Sequence, residues 1–240
     1  MNDLFLTSAT GLILKSYNLK LNKFFKSVPR PSVISGGQYG LVITSASPDT
    51  LQTMSFGYVN SNSAERINLV DVISDRFFDV DNECIEIIST HRCVVLVDAF
   101  FATSHKNRSY LVRLKKKEQP FALAGIYSTW MNKETNREET GFAILTTSPN
   151  SAFCRAGINQ MPVILSEDDT SLWLDLNQDM GTIFSLIKPF ASELMSGHLV
   201  SKKISPKKVS VIDSSPVEAR VSQEKIHSNT NRIDFNCLFY

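Results

Sequence analysis

The chain has 240 residues, 42% of them hydrophobic and 20% charged, with a formal net charge of +1. That length fits one large domain with a substantial core better than two small ones. The absence of an uncharged apolar run of about 18 residues excludes a membrane-spanning helix, and a start carrying Asp3 and no basic segment does not read as a signal peptide, so the expectation is a soluble, cytoplasmic protein.

Charge is unevenly spread. Residues 1–199 hold 18 Lys/Arg and 20 Asp/Glu, while residues 200–240 hold 7 and 4. A slightly acidic body argues against strong duplex binding, because phosphate neutralisation supplies most non-specific affinity. Any salt-sensitive binding of nucleic acid is therefore expected to be weak and carried mostly by the tail. Cys84, Cys93, Cys154 and Cys237 lie far apart, and so do His91, His105, His198 and His227. No CxxC or Cys/His spacing occurs, so free thiols are expected, with no metal and no cofactor.

In chain order, Leu4-Phe5-Leu6 opens the sequence and Leu12 to Phe25 shows only approximate helical spacing before Val28-Pro-Arg-Pro-Ser32 breaks any helix. Gly36, Gly37 and Gly40 precede the strand-like Leu41-Val42-Ile43, which ends at the turn signal Ser47-Pro48-Asp49. The glycines lack the flanking Lys-Ser/Thr and preceding strand of a phosphate-binding loop. Strands follow at Cys93–Val97 leading into Asp98–Phe101, at Tyr110–Leu114, at Phe121–Tyr127 and at Gly141–Thr147, separated by polar turns at 104–109, 115–119 and 132–140. Links this short cannot hold crossover helices, so the sheet is expected to be antiparallel.

Met161–Leu165 leads to Ser166, a helix N-cap with Glu167, Asp168 and Asp169 in the first turn and Leu172, Trp173 and Leu176 assigned to the buried face. This accounts for the acidic run better than a metal site does. A second helix is expected over Met180–Lys188, stopped by Pro189. After Ser201 the composition turns polar, then apolar again over Ile233–Tyr240. The expected organisation is one domain over residues 1–210 and a largely disordered tail over 211–240, whose apolar end, 233–240, is a candidate docking element for a protein partner. Asp98, Ser104 and His105 carry the residue types of a hydrolase triad but lie too close along one strand and turn to converge. Lys115-Lys116-Lys117 reads as a solvated loop.

Several segments in fixed order resemble the SRAP family, the SOS response-associated peptidases that process abasic sites in DNA. Phe121-Ala-Leu-Ala-Gly-Ile-Tyr-Ser-Thr-Trp130 is similar to its FAFAGLY-x-x-W strand, and Gly141–Thr147, Met161–Leu165 and Trp173-Leu174 follow in its order. Weaker similarities are Phe56-Gly57 to a Trp-Gly, Ile67-Asn68 to the start of N-A-R-x-E, Cys93–Phe101 to C-x-x-x-A-D-G-[FWY]-[FY]-E-W, and Val200–Lys203 to a closing VSKKV. The resemblance covers about residues 1–210. It implies an α+β domain with an antiparallel, barrel-like β-sheet, flanking helices and a cleft for single-stranded DNA.

The family's chemistry begins at a cysteine exposed by methionine removal. Its amine forms a Schiff base with the abasic aldehyde, and its thiol closes a stable thiazolidine; the same terminus cleaves a leader where one exists. Carried over residue by residue, that machinery is mostly missing. Asn2 stands at the cysteine position, Val70 and Val72 replace the arginine and glutamate of N-A-R-x-E, Ala102 replaces the acid, and the histidine position falls at Ile158 or Arg155. Asn68 survives as a candidate DNA contact, against the plainer role of a hydrogen-bonded turn or strand residue. The resemblance therefore implies a catalytically degenerate protein that binds single-stranded or abasic DNA weakly, or an intact relative. The alternatives are an abasic-site processing protein that uses the Met1 amine and a host-interaction module that uses the tail.

Overall fold

Runs of β-branched and aromatic residues extend in a chain that is stiff at χ1, and when both faces are covered such a run needs no polar alternation. The computed structural model describes residues 3–57, 71–73, 82–115, 120–132 and 136–200, with backbone alone at 71–73 and 82–84. Its elements are β1 (Leu4–Leu6), α1 (Thr10–Ser16), β2 (Lys20–Leu21), β3 (Ser32–Ile34), β4 (Tyr39–Thr44), β5 (Ser47–Phe56), β6 (Asp71–Ile73), α2 (Asn82–Thr90), β7 (Arg92–Val97), β8 (Ala99–Thr103), β9 (Ser109–Leu114), β10 (Phe121–Asn132), β11 (Arg137–Thr147), α3 (Ser151–Ala156), β12 (Met161–Pro162), β13 (Ile164–Leu165), α4 (Glu167–Leu174), α5 (Met180–Ser185) and β14 (Met195–Val200).

Strands β11, β10, β7, β4 and β5 pair in that order, and β5 pairs back onto β11, closing a five-stranded barrel. The fold is the expected α+β, barrel-like one, but the sheet is not purely antiparallel: the closing seam is parallel, Gly141 opposite Ser55 and Phe142 opposite Phe56, and so are the pairings of β6 with β11 and of β2 with β5. A second sheet, ordered β14-β9-β8-β1-β3, leaves the barrel where β7 passes into β8. Asp98 makes that joint. Its carboxylate accepts from the Ser8 amide at 2.8 Å and hydroxyl at 2.6 Å, and from the Thr7 amide and hydroxyl. These bonds hold the chain that enters α1 against the strand junction.

Four expectations need correction. Ser47-Pro48-Asp49 is not a turn but the start of β5; Thr44 faces Ser47, so the reversal needs only Ser45 and Ala46. Proline is tolerated there because it stands at the strand's beginning. Likewise, 132–140 is mostly strand, with Asn132 opposite Arg137 across the β10–β11 ribbon. Helix α4 is capped as expected, Ser166 Oγ accepting from the Asp169 amide at 3.1 Å. Its buried residues, however, are Thr170, Trp173 and Leu174, whereas Leu172 and Leu176 are exposed. The helix stops at Leu174, which puts Leu176 in the following turn. Helix α5 is shorter than expected and tightens beyond Ser185 through Leu186 N–H to Ile183 O and Ile187 N–H to Phe184 O. The tail, including 233–240, lies outside the described residues.

The core runs through the barrel and under α4. Every residue of β7 is buried, and Trp173 inserts against it, its indole N–H donating to the Cys93 carbonyl at 2.9 Å. Burial pushes the Cys93 thiol well above its ordinary range. Cys154 is exposed, and the side chains of Cys84 and Cys237 lie outside the described residues.

Candidate functional site

The turn between β8 and β9 is built by Ser104. Its amide donates to Arg108 O, its carbonyl accepts from Asn107 N–H, and its hydroxyl accepts from the Arg108 amide at 3.2 Å, while Asn107 takes a left-handed φ of 55°. Opposite stands α3. Asn150 caps it, Oδ1 accepting from the Phe153 amide at 3.0 Å, and Gly157 ends it with a φ of +72°. The Gly157 carbonyl accepts from both the His105 amide and His105 Nδ1, each at 2.9 Å. A carbonyl only accepts, so Nδ1 carries a proton and donates it to this bond, leaving Nε2 free of that contact.

Between turn and helix lies a cavity of about 370 Å³, whose lining includes Phe100, Ala102, Ser104, His105, Ile158 and Gln160. Its floor is aromatic: Phe100 tilts against Phe153 with centroids 6.2 Å apart. Strand β1 runs alongside β8. Leu4 pairs with Phe100, and the Phe101 amide donates to Asp3 O at 2.8 Å, next to Ala102.

Two residues from the family resemblance thus meet. Ala102 and Ile158, 56 positions apart in sequence, line one cavity, and both are buried. Arg155, the other candidate for the histidine position, sits exposed on α3 and does not line the cavity. Asn2, Asn68 and Val70 lie outside the described residues, as does the side chain of Val72. The Asp98/Ser104/His105 grouping does not converge, since Asp98 faces Thr7 and Ser8 and His105 faces Gly157. Among the described residues no group of three or more His, Cys, Asp or Glu gathers as a metal set, and no helix is long and apolar enough to cross a membrane.

His105 is the residue that sequence reasoning undervalued. Its position beside Ile158 depends on Gly157, 52 residues away. A Cβ at Gly157 would overlap the His105 ring on a backbone that disfavours side chains. Gly157→Ala should therefore cost about 1–3 kcal/mol and move the His105 ring resonances in an NMR spectrum; an unshifted ring and unchanged denaturation midpoint would remove the clamp from the site.

A closed mixed barrel with a second sheet folded off one strand, and a cavity between that sheet's β8 and helix α3, defines the class of fold. The chain belongs to the SOS response-associated peptidase (SRAP) family, whose model matches residues 13–207. Three crystal structures are similar in fold. A protein from Bacteroides thetaiotaomicron is 22% identical with a TM-score of 0.75, over 87% of this chain and 97% of that one. A protein from Bordetella bronchiseptica is 12% identical with a TM-score of 0.67, over 84% and 100%. A phage-related protein from the same organism is 17% identical with a TM-score of 0.62, over 89% and 100%. No curated protein matches the chain.

Proposed function

We propose that this protein keeps the SRAP scaffold without its covalent chemistry and acts as a non-enzymatic binding or regulatory protein, with single-stranded or abasic DNA as its ligand. The observation that carries this reading is the convergence of Ala102 and Ile158 on one cavity. By resemblance these positions belong to the proton-transferring acid and the histidine, and neither present side chain can move a proton. Asn2 adds the loss of the nucleophile, because an amide side chain offers no thiol to close a thiazolidine.

The expected result with an abasic oligonucleotide, in the absence of borohydride, is no heat-stable shifted band on a denaturing gel. A band that survives heating would overturn the reading, and its loss in Met1 or Asn2 variants would locate the substitute nucleophile.

His105 favours a second reading, in which an amine such as that of Met1 forms a reversible Schiff base and Nε2 of His105 relays the proton. Borohydride trapping separates the two. A trapped adduct that falls in His105→Gln supports residual chemistry; no adduct with or without borohydride supports the binding protein.

A further inference from the structure

The acidic average of the domain conceals one basic stretch. Residues 4–48 contain Lys15, Lys20, Lys23, Lys26 and Arg30 and no Asp or Glu. Two of these lysines, Lys23 and Lys26, flank in sequence two neighbouring phenylalanines with opposite fates, while Lys20 pairs with Asp49. Phe25 packs against the core, while Phe24 is 86% exposed. Solitary exposed hydrophobes are common on protein surfaces and need no explanation. Phe24 is neither solitary nor loose.

Its segment is pinned to the barrel: the Phe24 amide donates to Asn22 Oδ1 at 2.8 Å, the Asn22 amide to Leu51 O at 3.0 Å, and the Lys26 amide to Thr53 Oγ1 at 2.9 Å. Lys26 Nζ donates to the Tyr39 hydroxyl and lies 4.1 Å from that ring's centroid, fixing a second, 40% exposed aromatic in the same patch. Tyr39 opens β4 just after the Ser35–Gln38 turn, and Ile34, just before that turn, pairs with Leu4, which pairs in turn with Phe100 of the cavity floor. Two strand spacings, about 10 Å, separate Ile34 from Phe100. The patch and the cavity are therefore linked through one turn.

We infer that Phe24 and Tyr39, with Lys23 and Lys26, form a stacking platform for single-stranded nucleic acid, distinct from the cavity of Ala102 and Ile158. The ligand class rests on the function proposed above. Its chemistry is that of sequence-tolerant single-strand binding, in which a base lies on an aromatic face while ammonium groups track the phosphates. An acidic protein groove would also suit the lysines. A pinned, outward phenylalanine beside a lysine-clamped tyrosine favours bases, whose flat faces need no matching pocket.

The test uses the full chain and a fluorescent oligothymidylate of about fifteen nucleotides, read by anisotropy across a salt series. Phe24→Ala should weaken binding roughly five- to a hundredfold, the range of one lost stacked base, whereas Phe24→Trp should keep it. Joint replacement of Lys23 and Lys26 by Gln should reduce the salt slope by roughly 1.4. Both Phe24 variants should melt with the parent, since Phe24 contributes little to the core.

If the parent does not bind at all, the single-stranded DNA reading falls and the platform with it. If the parent binds and Phe24→Ala binds equally well, the platform alone is overturned. Sedimentation that shows a dimer lost in Phe24→Ala, with unchanged DNA affinity, would reassign the patch to self-association and overturn it equally.

Discussion

Replacing Arg92 by Met should destabilise the protein by about 3–5 kcal/mol, measured as the loss of unfolding free energy in urea. Arg92 is 1% exposed, yet among the described residues no carboxylate is hydrogen-bonded to it. Its guanidinium instead donates to four backbone carbonyls: Trp173 O at 2.6 Å, Ile88 O at 2.7 Å, Asp175 O at 2.8 Å and Ser89 O at 3.0 Å. Two belong to the end of α2 and two to the end of α4, so one cation satisfies the orphan carbonyls of both helices and suits the negative ends of their dipoles. Burial lowers its pKa from the ordinary arginine value, but the group stays charged. Hydrogen bonds from a charged donor contribute about 1.5–3 kcal/mol each, and a methionine of similar length replaces none of them. Arg92→Lys should recover only part of the loss, because an ammonium lacks the planar fork that reaches both helices. A methionine variant within 1 kcal/mol of the parent would show that water replaces the guanidinium and that the two helix ends are not fixed through it.

Most of the strands that could be read from sequence are buried along their length. Cys93–Val97 and Phe121–Ile126 are continuous apolar runs, lying within the barrel wall with α4 packed against β7 and β10. By contrast β5 begins Ser-Pro-Asp-Thr and is apolar only at Leu51, Met54 and Phe56, so local chemistry announced a turn where pairing with β4 imposed a strand. The parallel closure was illegible for a different reason. It rests on two residue pairs contributed by segments 86 positions apart, and no local pattern encodes such a seam.

The candidate site divides the same way. Ala102 was named by its offset inside one motif, whereas gap placement left the histidine position between Ile158 and Arg155, and neither residue carries a local signal that both ends of the cavity would meet. His105 carried no signal of its partner, since Gly157 O is a backbone atom. Phe24 was hidden by arithmetic: a net balance over 199 residues averages an acid-free stretch of 45 into neutrality, although charge acts over a Debye length of about 8–10 Å and not over a whole domain.

Gly141→Ala should open the barrel seam. A Cβ at this position would overlap the Gly57 carbonyl oxygen and stand 3.1 Å from the Trp130 ring. The ring could shift by a few tenths of an ångström; the carbonyl cannot do so cheaply, because the Gly57 amide is donating to Phe142 O at 2.8 Å in the parallel closure of β5 on β11. Beneath that seam Phe56 and Phe142 stack with their centroids 5.0 Å apart and planes within 9°, so relief by backbone movement would separate two buried rings as well. Overpacking commonly costs 1–3 kcal/mol, and a clash against backbone with a coupled loss of stacking should reach about 3 kcal/mol or more. Gly11→Ala is the control. Nothing lies within 4 Å of a Cβ there, and in α1 the change should be neutral or stabilise by about 0.5–1 kcal/mol through helix propensity. Hydrogen exchange gives the local readout: the Gly57 amide should lose protection in Gly141→Ala while the amides of β7 keep theirs. Equal stability of the two variants, with Gly57 still protected, would mean that the seam has slack and that the barrel does not depend on a bare backbone at Gly141.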